Sequence, residues 1–210
     1  MTSRNHAILV PQLGLPVHLH QELVEHIHTG RIIKSKMIIS ADTQPTLWTK
    51  LTARITWGQG RLQVYRLEDD IEQRIRQHYS EFLSTIPASA KLRLKSSQHV
   101  NLLAPHSDAY DGGDTASITV AILTNGEITN WYNAGKEYMF NVFNWTKLKR
   151  QTSLTLGDND ACLFNNSAVH SVTNFKSSNS RYVLTIGWQN TSFEELVEAW
   201  INYTNHDISN

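Results

Sequence analysis

The sequence predicts a mainly β fold with flanking helices (α+β), in which a jelly-roll barrel sits beneath an N-terminal helical layer. Three observations carry that expectation. Helical periodicity concentrates in the first ninety residues. After Ala90 the pattern turns to short β-rich runs separated by turn residues, and many short, evenly spaced strands mean a sandwich or barrel rather than a parallel α/β sheet. A last amphipathic segment closes the chain. No internal repeat, low-complexity tract or Pro/Gly/Ser linker interrupts the 210 residues, so 1–210 is expected to be a single domain. Within it, 1–90 gives helical and strand support, 91–190 the jelly-roll core, and 191–210 a C-terminal helix and tail.

In chain order, His18–His28 reads as an amphipathic helix with Leu23, Val24 and Ile27 on one side and Gly30 at its end. Met37–Ser40 and Leu62–Leu67 read as strands. Glu68–Ile86 reads as a helix, with Asp69 and Asp70 near its positive end and Ile71, Ile75, Tyr79 and Phe82 along one face, stopped by Pro87. Strand candidates follow at Lys91–Leu94, Val100–Ala104, Ser117–Thr124, Glu127–Tyr132, Tyr138–Phe143, Ser153–Leu156, Ala161–Asn165, Val169–Asn174 and Tyr182–Gln189. Asn125-Gly126 between two of these runs is a two-residue hairpin signal. Ser192 with Glu195 makes a capping box ahead of a helix over Ser192–Asn202.

Nineteen Lys plus Arg balance nineteen Asp plus Glu, for a formal charge of zero. That argues against an extended phosphate-binding surface. The one dense basic run, Lys147–Arg150, reads as a solvated turn or strand edge. The single cysteine, Cys162, has no intrachain partner for a disulfide, which suits a reducing compartment. Neither a signal-peptide core nor a bilayer-length apolar span is present. The expected setting is cytoplasmic, with a small molecule as partner rather than nucleic acid or a membrane.

Chemistry concentrates in Pro105-His106-Ser107-Asp108 and in a later strand, Ala168-Val169-His170-Ser171-Val172. Strand side chains alternate faces, so His106 and Asp108 point the same way and converge. Two histidines and a carboxylate occupy one face of an octahedral iron and leave the opposite face open. Arg181 follows His170 by eleven positions and begins an apolar strand whose other face holds Val183, Thr185 and Gly187. An arginine entering a barrel needs an anionic partner, and its planar fork matches a carboxylate.

His106-x-Asp108, His170 and Arg181, in this order and spacing, resemble the double-stranded β-helix (cupin-like) oxygenases dependent on Fe(II) and 2-oxoglutarate. The resemblance covers roughly Lys91 to Gln189 and includes the turn and apolar strand Gly157–Phe164 ahead of the distal histidine. It implies a metal held by His106, Asp108 and His170, with Arg181 gripping the far carboxylate of 2-oxoglutarate. It implies use of O₂, release of succinate and CO₂, and hydrogen abstraction from a substrate. Related halogenases carry a small residue where Asp108 stands, so Asp108 points to hydroxylation, with desaturation or ring formation as variants of the same abstraction. One departure stands out. Several relatives place a serine two residues after the arginine, and here that position is Val183, leaving a hydroxyl from another strand, such as Thr119 or Tyr132, to share the carboxylate.

The glycine-rich loop Ala109–Thr115 offers Tyr110 and Asp111 as substrate contacts, and Trp131 as a pocket wall or an inter-strand aromatic. His18, His20, His26 and His28 do not converge as a second metal site on a helix and read as a partly solvated face. The expected activity is hydroxylation of a small molecule such as a free amino acid or related metabolite. The alternatives are a peptide or protein side-chain hydroxylase, a cupin-like metal protein without 2-oxoglutarate chemistry, and a zinc hydrolase. The last two leave Arg181 without a role.

Overall fold

The computed structural model describes residues 6–34, 61–98, 103–109, 113–134, 147–173 and 180–207. In chain order these form β1 (Ala7–Leu9), a 3-10 turn (Pro11–Leu13), α1 (Val17–Thr29), β2 (Ile33–Lys34), β3 (Arg61–Arg66), α2 (Asp69–His78) and α3 (Ser80–Ser84). Then come β4 (Lys91–Gln98), β5 (Leu103–His106), β6 (Ala116–Leu123), β7 (Ile128–Tyr132), β8 (Arg150–Thr155), β9 (Ala161–Asn165), β10 (His170–Thr173), β11 (Arg181–Trp188) and α4 (Phe193–Asp207). The strands make two antiparallel sheets. The larger has seven strands in the order β1-β9-β6-β11-β4-β3-β2, and the smaller has four in the order β5-β10-β7-β8. From β4 to β7 each successive strand lies in the other sheet. That is the double-stranded β-helix form of the jelly roll, extended at its edges by β1 and by β2–β3.

Alternation along β11 shows where the core lies. Tyr182, Leu184, Ile186 and Trp188 sit on one face, joined through the strand register by Leu94, Ile118, Val120 and Leu163. Against that face pack Leu19, Leu23 and Ile27 of α1, Ile71 and Ile75 of α2, Phe82 of α3, and Leu196 and Trp200 of α4. Each fully buried side chain of this size contributes about 1.5–3 kcal/mol, so the apolar core is a layer between the large sheet and the helices. The opposite face, toward the smaller sheet, carries Arg93, Lys95, Ser117, Thr119 and Thr185. The barrel interior is therefore largely polar on this wall.

Helix α1 ends as expected on Gly30, which takes the left-handed conformation (φ 72°) at the cap. Of its histidines, His18 and His28 are exposed, but His26 is buried and the ring of His20 bonds the Ile122 carbonyl at 3.1 Å. The helix expected over Glu68–Ile86 is divided at Tyr79, whose backbone (φ −91°, ψ 1°) leaves helical geometry. The Tyr79 ring is drawn into the core, where its hydroxyl donates to the Leu13 carbonyl at 2.6 Å.

Asn125-Gly126 does not make a hairpin. β6 pairs with β11 and β9, whereas β7 pairs with β10 and β8. The turn carries the chain from one sheet to the other, helped by Gly126 at φ 78° and by the Asn125 amide donating to Glu127 Oε2 at 3.0 Å. Met37–Ser40 and Tyr138–Phe143 lie outside the described residues. No helix among those described is long and apolar enough to cross a membrane.

Candidate active site

His106 ends β5 and His170 begins β10, and the two residues are direct partners in the antiparallel register. Pairing sets their rings side by side, with centroids 4.3 Å apart. Asp108, two residues beyond His106, turns back so that its Oδ1 lies 3.5 Å from His106 Nε2. One ligand atom from each of the three side chains falls within 4.8 Å of the others. The segment is pinned from below: Ser107 Oγ donates to the Asn166 carbonyl at 2.9 Å, and the Ala109 amide reaches the same oxygen at 3.3 Å.

The protonation states suit a divalent cation. Burial, aided by the charge of His106, pushes His170 down to about 3, so its imidazole is neutral at pH 7. Its Nδ1 lies 3.0 Å from the Ala168 carbonyl. Donation there fixes the tautomer and leaves Nε2 as a ligand atom. Burial would raise the Asp108 carboxyl, but Lys95, His106 and His170 together hold it well below the usual carboxylate range. Lys95 Nζ stands 3.4 Å from Asp108 Oδ2, which leaves Oδ1 to face His106. A neutral histidine and an ionised carboxylate are what metal binding requires.

Trp131 is fully buried. It packs on Phe164 (centroids 4.8 Å), which in turn meets His170 at 4.9 Å, and its own ring stands 6.4 Å from His170. The two aromatics back the distal histidine. Tyr110 and Asp111 lie outside the described residues.

Arg181 opens β11 opposite Ser97, on the face shared with Val183, Thr185 and Lys95. Its side chain makes no hydrogen bond among the described residues. Burial lowers its pKa, opposed chiefly by the charge of Glu127 nearby. Glu127 is itself buried, with Oε1 unpartnered. A guanidinium so placed calls for an anionic partner. Of the two hydroxyls expected to assist it, Thr119 faces the same interior, level with Thr185 and Cys162. The Tyr132 hydroxyl is instead bonded to Ser171 Oγ at 2.8 Å, and Ser171, adjacent to His170 in its strand, faces the other side of the sheet.

Lys95, Arg93, Asp114 and Glu127 do not stand out in the sequence as site residues. The signal for the first two was there: Lys91-Leu92-Arg93-Leu94-Lys95 alternates strictly. What the pattern lacks is which face the helices cover. They cover the leucines, so the charges point into the barrel.

Solved structures share this fold. The non-heme alpha ketoglutarate dependent epimerase SnoN from nogalamycin biosynthesis superposes with a TM-score of 0.55 at 16% identity, over 90% of this chain and 78% of that one. A prolyl hydroxylase from Trichoplax adhaerens, solved with a hypoxia inducible factor peptide fragment, gives 0.53 at 10% identity over 89% and 84%. HygX from Streptomyces hygroscopicus, solved with nickel and 2-oxoglutarate, gives 0.52 at 8% identity over 89% and 84%. No family model and no curated protein matches the sequence. The chain thus has the double-stranded β-helix fold of the iron- and 2-oxoglutarate-dependent oxygenases. Within that fold, its His106–Asp108–His170 cluster and Arg181 stand in one barrel.

Proposed function

We propose that this protein is an Fe(II)- and 2-oxoglutarate-dependent oxygenase that hydroxylates a small molecule, a free amino acid or a related metabolite. The observation that carries the reading is the convergence of His106, Asp108 and His170 in the same interior as Arg181, a half-buried cation whose side chain has no hydrogen-bonded partner among the described residues. The donor set fits iron: two imidazoles and one carboxylate, with the remaining directions open. Iron held there would supply the oxidising power for C–H hydroxylation at the expense of O₂ and 2-oxoglutarate, one oxygen atom going to the substrate and the other into the succinate formed with CO₂.

The chain's own residues supply position. Arg181 takes the distal carboxylate of 2-oxoglutarate through its planar fork. Lys95 holds one oxygen of Asp108 and so leaves the other for the metal. Trp131 and Phe164 exclude water behind His170. A carboxylate at Asp108 favours hydroxylation over halogenation, and the charged interior wall of β4 favours a small polar substrate over an apolar one.

The test is an anaerobic titration with Fe(II) and then 2-oxoglutarate, followed by visible absorption. A weak charge-transfer band that needs both additions, vanishes in His106→Ala and weakens in Arg181→Ala is expected. Iron binding with no band and no measurable affinity for 2-oxoglutarate overturns the reading in favour of a cupin-like metal protein.

A further inference from the structure

Arg93 and Arg181 face the same interior, but at different heights. Lys95 reaches Asp108, and Arg93 lies two residues back along the same face of β4, about 7 Å away at ~3.4 Å per residue. On that side of the barrel the chain leaving the metal motif returns through Asp114. Its neighbour Thr115 is tied down by its amide to the Trp188 carbonyl (2.7 Å) and by its hydroxyl to the carbonyls of Trp188 and Thr191. The Asp114 carboxylate is 2% exposed and forms an ion pair with Arg93 through Oδ2. It lies over Gly187, where a Cβ would collide with it.

This pair is incomplete. Asp114 Oδ1 is buried and accepts no hydrogen bond among the described residues. Arg93 has five N–H groups. One of them is spent on Asp114, and the side chain remains 28% exposed. A buried ion pair is favourable only when its remaining lone pairs and protons are satisfied. Both open valences stand side by side, one asking for a cationic donor and the other for an anionic acceptor.

We propose that Arg93 and Asp114 form the substrate's head-group site, and that the substrate is a free α-amino acid. Its ammonium donates to Asp114 Oδ1 and its α-carboxylate accepts from Arg93. With the head held one strand step from the metal cluster, the side chain is what reaches toward Asp108. A residue inside a peptide lacks both charges and leaves both valences open. The inference rests on the oxygenase reading above and deepens it.

The experiment uses the full chain with Fe(II), 2-oxoglutarate and O₂. The probes are the twenty free L-amino acids, their N-acetyl and C-amide forms, and short peptides capped at both ends. Succinate release above the substrate-free level and a one-oxygen gain in product mass are read together. At least one free amino acid is expected to stimulate turnover, and capping either end is expected to raise its KM about tenfold or more, the loss of one charge-assisted hydrogen bond. Asp114→Asn should penalise the free acid but no longer distinguish it from its N-acetyl form, while Arg93→Met should do the same for the C-amide. Because the capping comparison is made on the natural chain, it stands even where a variant folds poorly. If capped peptides are turned over as well as the free acid, the site is misassigned. It is equally misassigned if the iron–2-oxoglutarate band forms but no free amino acid stimulates turnover. If the band itself never forms, the oxygenase reading falls and this site with it.

Discussion

Gly187 is the residue whose replacement tests the interior wall most directly. Its φ is not positive, since Gly30 and Gly126 are the described glycines that adopt such values, so alanine fits the backbone. By propensity alone, Gly→Ala within a strand should stabilise by roughly 0.5–1 kcal/mol. The structure predicts the opposite sign. A Cβ at Gly187 would sit 3.0 Å from Asp114 Cβ and closer still to its carboxylate, so the carboxylate must leave its place beside Arg93. Breaking one buried pair costs about 3–5 kcal/mol. The partial exposure of Arg93 places the expected loss near the lower end, about 3 kcal/mol, or a fall in Tm of about 6–12 °C for a chain of this length. Urea denaturation of Gly187→Ala, Asp114→Ala and the double variant measures it. In the Asp114→Ala background the same Gly187→Ala change should cost less than about 1 kcal/mol, a strongly non-additive cycle. Additive losses, or a single variant as stable as the natural chain, would refute the packing argument.

Three further outcomes follow from the same geometry. Arg181→Met should weaken 2-oxoglutarate binding roughly 30- to 100-fold, as expected for losing a bidentate charge-assisted contact, with Arg181→Lys recovering only part of it; unchanged affinity in a titration of the charge-transfer band removes Arg181 from the anchor role. Burial pushes the Cys162 thiol up from its ordinary value of 9.0 to about 12. Below pH 9 both folded and unfolded chains keep the proton and the contribution is complete. Between pH 9 and 12 only the unfolded chain releases it, so stability falls as pH rises, by about 4 kcal/mol across the window at ~1.4 kcal/mol per unit. Urea midpoints at pH 8 and 10.5 should diverge more in the natural chain than in Cys162→Ala, and equal divergence contradicts the burial argument. Finally, Ser192 and Glu195 exchange hydrogen bonds at 2.7 and 3.1 Å at the start of α4, so Ser192→Ala should cost about 1 kcal/mol of stability by urea denaturation, and no loss would show the box to be redundant.

Strand periodicity made most of the barrel legible. Ala161–Asn165 falls where it was expected, and β6, β7 and β11 are displaced by a residue at most. Edges were harder. β1 is three residues long and owes its place to pairing with β9, a contact with residues some 150 positions away that local pattern does not encode. The Asn125-Gly126 turn shows the same limit in reverse. Its chemistry is that of a reversal, and the conformation at Gly126 is the one such a turn uses, but the partners of β6 and β7 are chosen by the closure of two sheets rather than by the turn between them.

The site divides along a similar line. His106, Asp108, His170 and Arg181 were legible from their residue types and their family-like order; His106, His170 and Arg181 stand at strand ends and Asp108 lies two residues beyond one. Lys95, Glu127, Arg93 and Asp114 were not, and the reason is an inversion of the usual inside and outside. In a half-buried sheet the charged face is the solvated one. Here the helices claim Leu92 and Leu94 for the core, and the charges of β4 are turned toward the smaller sheet. A protein tolerates such a wall only when each charge has a counterpart, and Lys95 meets Asp108 while Arg93 meets Asp114. Arg181 has Glu127 near but unbonded. By register, the incomplete pairs at Arg93 and Arg181 lie on either side of Lys95, whose pair with Asp108 stands at the histidine–carboxylate cluster.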